Sequence, residues 1–176
     1  AVWCARHLIG NEPVAVILAD DLIEGSKTIG EMIQNYTTGN MLAVMEVDKA
    51  DVSSYGVITP GKILNNSNIE ILNLVEKPSK ETAPSNLAVV GRYILEPAIF
   101  DVLEKQKRGA SNEIQLTDAI ASRIGKSICT GYKFSEERFD CGSKLGFIQA
   151  NIKFSIQRKE MKNELTKWLK EEIMKS

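Results

Sequence analysis

The sequence holds one histidine, His7, and three cysteines, Cys4, Cys129 and Cys141. A single histidine near the start argues against a Ser-His-Asp or Cys-His triad. The cysteines are widely spaced and include no C-x-x-C pair. That argues against a disulfide framework or a thiolate zinc site, and for a reducing cytoplasm. Charge excess is also missing: 22 Lys and Arg stand against 23 Asp and Glu, for a formal net charge of -1. Broad binding to nucleic acid or to an acidic membrane needs a basic surplus, so neither partner is expected. No apolar run is long enough to span a bilayer. Internal repeats, low-complexity tracts and domain-splitting linkers are absent too.

What is present is ordinary globular composition, 43% hydrophobic and 26% charged over 176 residues. That length suits a single domain over residues 1–176 with a sizeable core. A catalytic metal would have to be a hard cation held by carboxylates and phosphate, which points to magnesium.

The pattern opens as α/β. Val14 to Leu18 is a continuous apolar run, as in a strand buried on both faces of a parallel sheet. Thr28 to Tyr36 reads as a helix with a Thr28/Glu31 capping box, and Met41 to Val47 as a second buried strand. The middle changes character. Strands are expected at Tyr55 to Thr59, Ile69 to Lys77 and Leu87 to Leu95, separated by turn clusters, as an antiparallel β insert on the core. A helix follows Pro97, another with an Asn112/Gln115 box runs to Ile124, and Ile128 to Phe134 returns as a strand. Leu145, Ile148, Ile152 and Ile156 mark one closing helix. Met161, Leu165, Trp168, Leu169 and Ile173 mark a second, whose stripe is expected to cover its own domain. The expected fold is therefore an α/β, Rossmann-like core with a mixed, mostly parallel sheet, a β insert and two C-terminal helices.

Three clusters have the residue types for chemistry. Asp20, followed by Asp21, comes directly after a buried strand, where loops of α/β sheets meet ligands. Asp140 lies at another strand end, before Gly142 and the potential cap Ser143. Each is also what a turn or capping Asp looks like, but two such carboxylates could share a magnesium ion with phosphate. Glu76 and Lys77 precede Pro78; Glu76 can accept from sugar hydroxyls and Lys77 can meet a phosphate, or the two can form a surface ion pair. Neighbours on a strand point to opposite faces, so both reach one ligand only if the strand ends there. Gly56 permits close approach of backbone to ligand, as does many a turn glycine.

Six blocks recur together in a known family. They are Val16 to Asp21 (V-I-L-A-D-D), Ser54 to Val57 (S-Y-G-V), Val75 to Pro78 (V-E-K-P), Ala83 to Tyr93, Asn112 to Ala119 (N-E-I-Q-L-T-D-A) and Phe139 to Gly146 (F-D-C-G-S-K-L-G). In that order they resemble bacterial UTP–glucose-1-phosphate uridylyltransferases, also called UDP-glucose pyrophosphorylases. The likeness runs from the first residue to about Ile156, and the last three blocks favour UDP-glucose over dTDP-glucose enzymes. Two positions depart from the family pattern: Ala19 stands where proline is usual, and Asp21 where an apolar residue or Asn is usual. The family's G-x-G-T-R nucleotide loop does not occur. The chain is therefore expected to be the C-terminal portion of a longer enzyme, inactive by itself.

The resemblance implies nucleotidyl transfer from UTP to glucose 1-phosphate, with release of pyrophosphate, by a cytoplasmic homo-oligomer. It implies that Asp20 and Asp140 hold magnesium, that Glu76 binds glucose hydroxyls, and that Lys77 binds the sugar phosphate. It assigns catalytic weight to Asp20, Asp140 and Lys77, and backbone contacts with the sugar to Gly56 and Val89. Two alternatives accompany it: a dTDP-glucose-type pyrophosphorylase, and a non-catalytic sugar-phosphate-binding or regulatory module on the same scaffold.

Overall fold

In the computed structural model, which describes residues 1–25, 27–106 and 115–175, the chain divides into two compact units. The first comprises Ala1–Leu18 and Gly25–Glu136, the second Ala19–Glu24 and Glu137–Ser176.

The first unit is built on a six-stranded sheet. Its strands are β1 (Val14–Ile17), β3 (Asn40–Glu46), β4 (Gly56–Ile63), β5 (Asn68–Glu76), β6 (Leu87–Leu95) and β7 (Cys129–Lys133), in the order β1-β6-β3-β7-β5-β4. A further bridge, Val57 to Ala88, links β4 back to β6. Only β3 and β7 pair in parallel; all other pairings in this sheet are antiparallel. The sheet is thus mixed, which corrects the expectation of a mostly parallel one. The reason is that β4, β5 and β6 are not an insert beside the core. They are members of its sheet, and β6 lies antiparallel between β1 and β3. The Val14 run is likewise not buried on both faces. It alternates half-buried and exposed along the sheet edge, leaving Ile17 more than half exposed.

The central strands carry the core. Leu42, Val44, Ile58, Leu74 and Leu95 pack with Ile99, Phe100 and Leu103 of α3 (Ile99–Lys105) and Ile120 of α4 (Leu116–Ala121). Burying each such side chain stabilises the fold by about 1.5–3 kcal/mol relative to exposure. A short helix α1 (Arg6–Ile9) precedes the sheet, and α2 (Lys27–Asn35) buries Met32 beneath it. Thr28 is inside α2, its hydroxyl buried without a partner among the described residues, so it is not the expected cap. Glu31 instead accepts from the Tyr132 hydroxyl at 2.6 Å. α4 starts after Gln115, and the Asn112 half of the proposed box lies outside the described residues.

The second unit pairs β2 (Asp21–Ile23) antiparallel with β8 (Arg138–Asp140), followed by α5 (Lys144–Gln157) and α6 (Lys159–Ile173). Phe139 meets Phe154 of α5 edge to face at 6.0 Å, and Lys153 reaches Glu137 at 2.5 Å and Glu24 at 3.4 Å. The buried face of α5 is Gly146 and Ala150, whereas Leu145 and Ile148 are exposed. In α6 no residue is buried, and Trp168 and Ile173 are exposed. The expected covering stripe is therefore only half used, because α6 packs chiefly along α5. Among the described residues no helix is long and apolar enough to cross a membrane.

Candidate functional site

The short β2–β8 ladder sets Asp21 opposite Asp140, and the Cys141 N–H donates to the Asp20 carbonyl at 2.7 Å. Those contacts bring the side chains of Asp20 and Asp140 to one place, Gly142. A Cβ on that glycine would lie 3.1 Å from Asp140 Oδ1 and 3.2 Å from Asp20 Oδ2. The Gly142 N–H donates to Asp140 Oδ1 at 3.1 Å. Both aspartates are otherwise exposed.

The helix behind this turn fixes it. Ser143 caps α5, as its position after Gly142 suggested: its hydroxyl accepts from the Gly146 N–H at 3.0 Å and donates to the Asp140 carbonyl at 2.9 Å. A Cβ on Gly146 would lie only 2.1 Å from the Asp140 carbonyl oxygen. The first turn of α5 therefore presses against Asp140 with no room for a side chain. Asp21, the unusual residue of this segment, is buried and ion-paired with Arg138, so its charge is compensated rather than offered to a ligand.

Two hard carboxylates from separate segments, both beside Gly142, suit a hard divalent cation with open positions for other oxygens. Among the described residues no cluster of three or more His, Cys, Asp or Glu forms a metal site. Any such ion would thus take its remaining ligands from water or substrate.

The other candidates lie in the first unit. Gly56 pairs with Glu76 across β4 and β5, while the Val57–Ala88 bridge sets Gly56 beside Val89 on β6. Gly56, Glu76 and Val89 are thereby gathered on three neighbouring strands. A Cβ on Gly56 would lie 3.2 Å from Glu76 Oε2, so the bare glycine leaves room for that carboxylate. Val89 is buried, and can offer only main-chain groups. Lys77 is exposed and has φ 46, the only positive value of a non-glycine residue among those described. Its N–H donates to the Tyr55 carbonyl at 2.9 Å. The strand ends at Glu76, and this left-handed residue turns the chain, so the alternation of faces no longer separates Glu76 from Lys77.

Two titrating groups beside Asn40, Glu96 and Cys129, are structural. Burial on its own would raise the Glu96 carboxyl. Hydrogen bonds from Ser127 (2.6 Å), Arg123 (2.9 Å) and Asn40 (3.2 Å), with the Arg123 charge, outweigh it and hold Glu96 below the usual carboxylate range. Burial, then the charge of Glu96, pushes the Cys129 thiol up to about 12, which disfavours the thiolate that a nucleophile needs.

Two residues that the sequence reading did not single out belong here. Gly146 lets α5 approach Asp140. Thr117 stands against Gly56, its Cγ2 3.3 Å and Oγ1 3.5 Å from the position of the missing Cβ. Both lie inside blocks quoted for the family resemblance, but only packing distinguishes them from their neighbours.

Comparison with known proteins identifies the family. The nucleotidyl transferase family model matches residues 1–155, and the chain belongs to that family. UTP–glucose-1-phosphate uridylyltransferase 1 of Staphylococcus saprophyticus is 42% identical over 173 residues, which cover 97% of this chain and 60% of that relative. A solved UDP-glucose pyrophosphorylase complexed with UDP-glucose superposes with a TM-score of 0.83 at 43% identity, covering 89% of this chain and 61% of that one. A UTP-bound UGPase from Acinetobacter baumannii gives 0.80 at 31% identity, covering 96% and 59%. The chain thus spans about three fifths of the length of these proteins.

Proposed function

We propose that the protein to which this chain belongs forms UDP-glucose and pyrophosphate from UTP and glucose 1-phosphate. The observation that carries this reading is the convergence of the Asp20 and Asp140 carboxylates, distant in sequence, beside Gly142. The named relatives supply its substrate pair. In this reaction a phosphate oxygen of the sugar 1-phosphate bonds to the α-phosphorus of UTP as the bond to the leaving pyrophosphate breaks. No protein nucleophile is required, so positioning and charge carry the catalysis.

Each residue then has a role. Asp20 and Asp140 would hold magnesium, which when bound supplies positive charge against the crowded phosphates. Glu76 accepts hydrogen bonds from sugar hydroxyls, and the main chain at Gly56 and Val89 lines the sugar. Lys77 brings a cation to the sugar phosphate, and its left-handed backbone is strain of the kind found at ligand clamps. A cytoplasmic homo-oligomer that binds neither nucleic acid nor membrane fits the charge balance and the three free thiols. The exposed apolar residues Phe147, Ile148 and Trp168 leave surface for a second copy.

Pyrophosphate release by the full-length protein tests this reading. UTP with glucose 1-phosphate should turn over, and residues 1–176 alone should not. Preference for dTTP would support the dTDP-glucose alternative, and absence of any turnover the non-catalytic module. Glu76→Ala should raise the KM for glucose 1-phosphate and lower its kcat/KM by about 1–3 kcal/mol, with the KM for UTP nearly unchanged. An equal loss for both substrates would make Glu76 a structural residue.

A further inference from the structure

We infer that Thr117 is a second side chain that selects the sugar, acting together with Glu76 on a single hydroxyl. This rests on the reading of Gly56, Glu76 and Val89 as the sugar-binding strands. Thr117 comes from α4, which packs on β5, and its side chain closes over Gly56. Thr117 Oγ1 and Glu76 Oε2 lie 3.5 Å and 3.2 Å from the same point, where any residue other than glycine would put a Cβ. Among the described residues neither the hydroxyl nor the carboxylate has a hydrogen-bond partner. An ionised carboxylate can only accept, whereas a threonine hydroxyl can donate and accept. A sugar hydroxyl between them can donate to Glu76 and accept from Thr117, which satisfies all three groups.

The test uses the full-length protein and three variants. Thr117→Val keeps shape and removes the hydroxyl; Thr117→Ser keeps the hydroxyl; Glu76→Ala reports on the pocket itself. Thr117→Val should raise the KM for glucose 1-phosphate about 3- to 10-fold, the loss of one neutral hydrogen bond, with the KM for UTP and the melting temperature little changed. Thr117→Ser should restore the wild-type KM. Among glucose 1-phosphates lacking one hydroxyl each, one should be handled equally by wild type and Thr117→Val, which identifies the shared hydroxyl. An unchanged KM in Thr117→Val beside a raised KM in Glu76→Ala would overturn the role of Thr117 and leave the pocket standing. So would a loss spread equally over both substrates with a lowered melting temperature. No effect from Glu76→Ala would overturn the pocket together with this inference.

Discussion

Asp140 and Glu76 each close a strand, yet they are supported in opposite ways. Glu76 ends a nine-residue strand paired on both sides within a six-stranded sheet. Asp140 ends a three-residue strand with one equally short partner. A ladder that short cannot fix a carboxylate, and most of its support comes from α5, through Ser143 and the close approach at Gly146. Register thus places Gly56, Glu76 and Val89, while a capped helix braces Asp140. The contrast suits the chemistry proposed for each. Sugar recognition needs several groups at fixed spacing, whereas a hard cation tolerates ligands on an exposed turn as long as their backbone is braced.

The largest effect expected is on the metal-side pair. In the full-length protein, Asp140→Ala should lower turnover by at least on the order of 100-fold, since it removes a ligand rather than a group behind one. Circular dichroism should remain that of the wild type, because the Asp140 side chain is exposed. Turnover near the wild-type value would remove Asp140 from the mechanism, and with it the carboxylate pair.

Next come two glycines beside Asp140, Gly142 in the turn and Gly146 in the first turn of α5. Gly146→Ala forces a methyl group onto the Asp140 carbonyl, a backbone atom that cannot step aside. It should lower stability by about 1–3 kcal/mol, the usual result of overpacking, and should lower activity with it. Gly142→Ala meets two side-chain oxygens at 3.1 and 3.2 Å, which can rotate away. It should weaken magnesium binding, read as a raised magnesium concentration for half-maximal turnover, with little change in melting temperature. If both variants merely unfold, or neither does anything, the helix-braced turn is not the support described here.

Much of this division was legible in the sequence, and the unread part has a physical cause. The bounds of β6 match the apolar run Leu87 to Leu95, because alternation and the flanking turns are local signals. Strand direction is not local. Val14 to Leu18 carries the apolar residues of a buried parallel strand, yet it pairs antiparallel with β6 at the sheet edge, a choice made by partners distant in sequence. Asp20 and Asp140 could be recognised as strand-end acids, but a three-residue ladder leaves no periodicity from which their convergence could be read. Thr117 and Gly146 were hidden for the same reason, since their roles lie in distances to Gly56 and Asp140 that no spacing encodes.

A smaller effect separates the sheet from the turn by pH. Glu96 ties Asn40 at the head of β3 to Arg123 and Ser127, and its carboxyl is held below its ordinary range. A depressed carboxyl contributes stability that is fully present above its unfolded pKa and is lost as pH falls through the folded value. The melting temperature should therefore decline on acidification below the ordinary carboxylate range, and Glu96→Gln should flatten that decline while lowering the plateau at neutral pH. An unaltered acid slope in Glu96→Gln would mean that other carboxylates dominate.

The smallest effect turns on Lys77, where the sheet region itself departs from regular geometry. A side chain at φ 46 costs about 1–2 kcal/mol that glycine would not incur. Glycine, however, gives back roughly 0.5–1 kcal/mol through its freer unfolded chain. Lys77→Gly should thus gain at most about 1 kcal/mol, visible as a slightly raised denaturation midpoint. Lys77→Ala keeps the strain and should gain nothing. Both remove the ammonium group, so both should raise the KM for glucose 1-phosphate alike. Equal activity loss with unequal stability would separate the two properties of this residue: its charge serves the ligand, and its backbone holds strain that the sheet supports. If Lys77→Gly were no more stable than Lys77→Ala, the left-handed turn would store no strain. If both kept full activity, the ammonium group would have no part in binding the sugar phosphate.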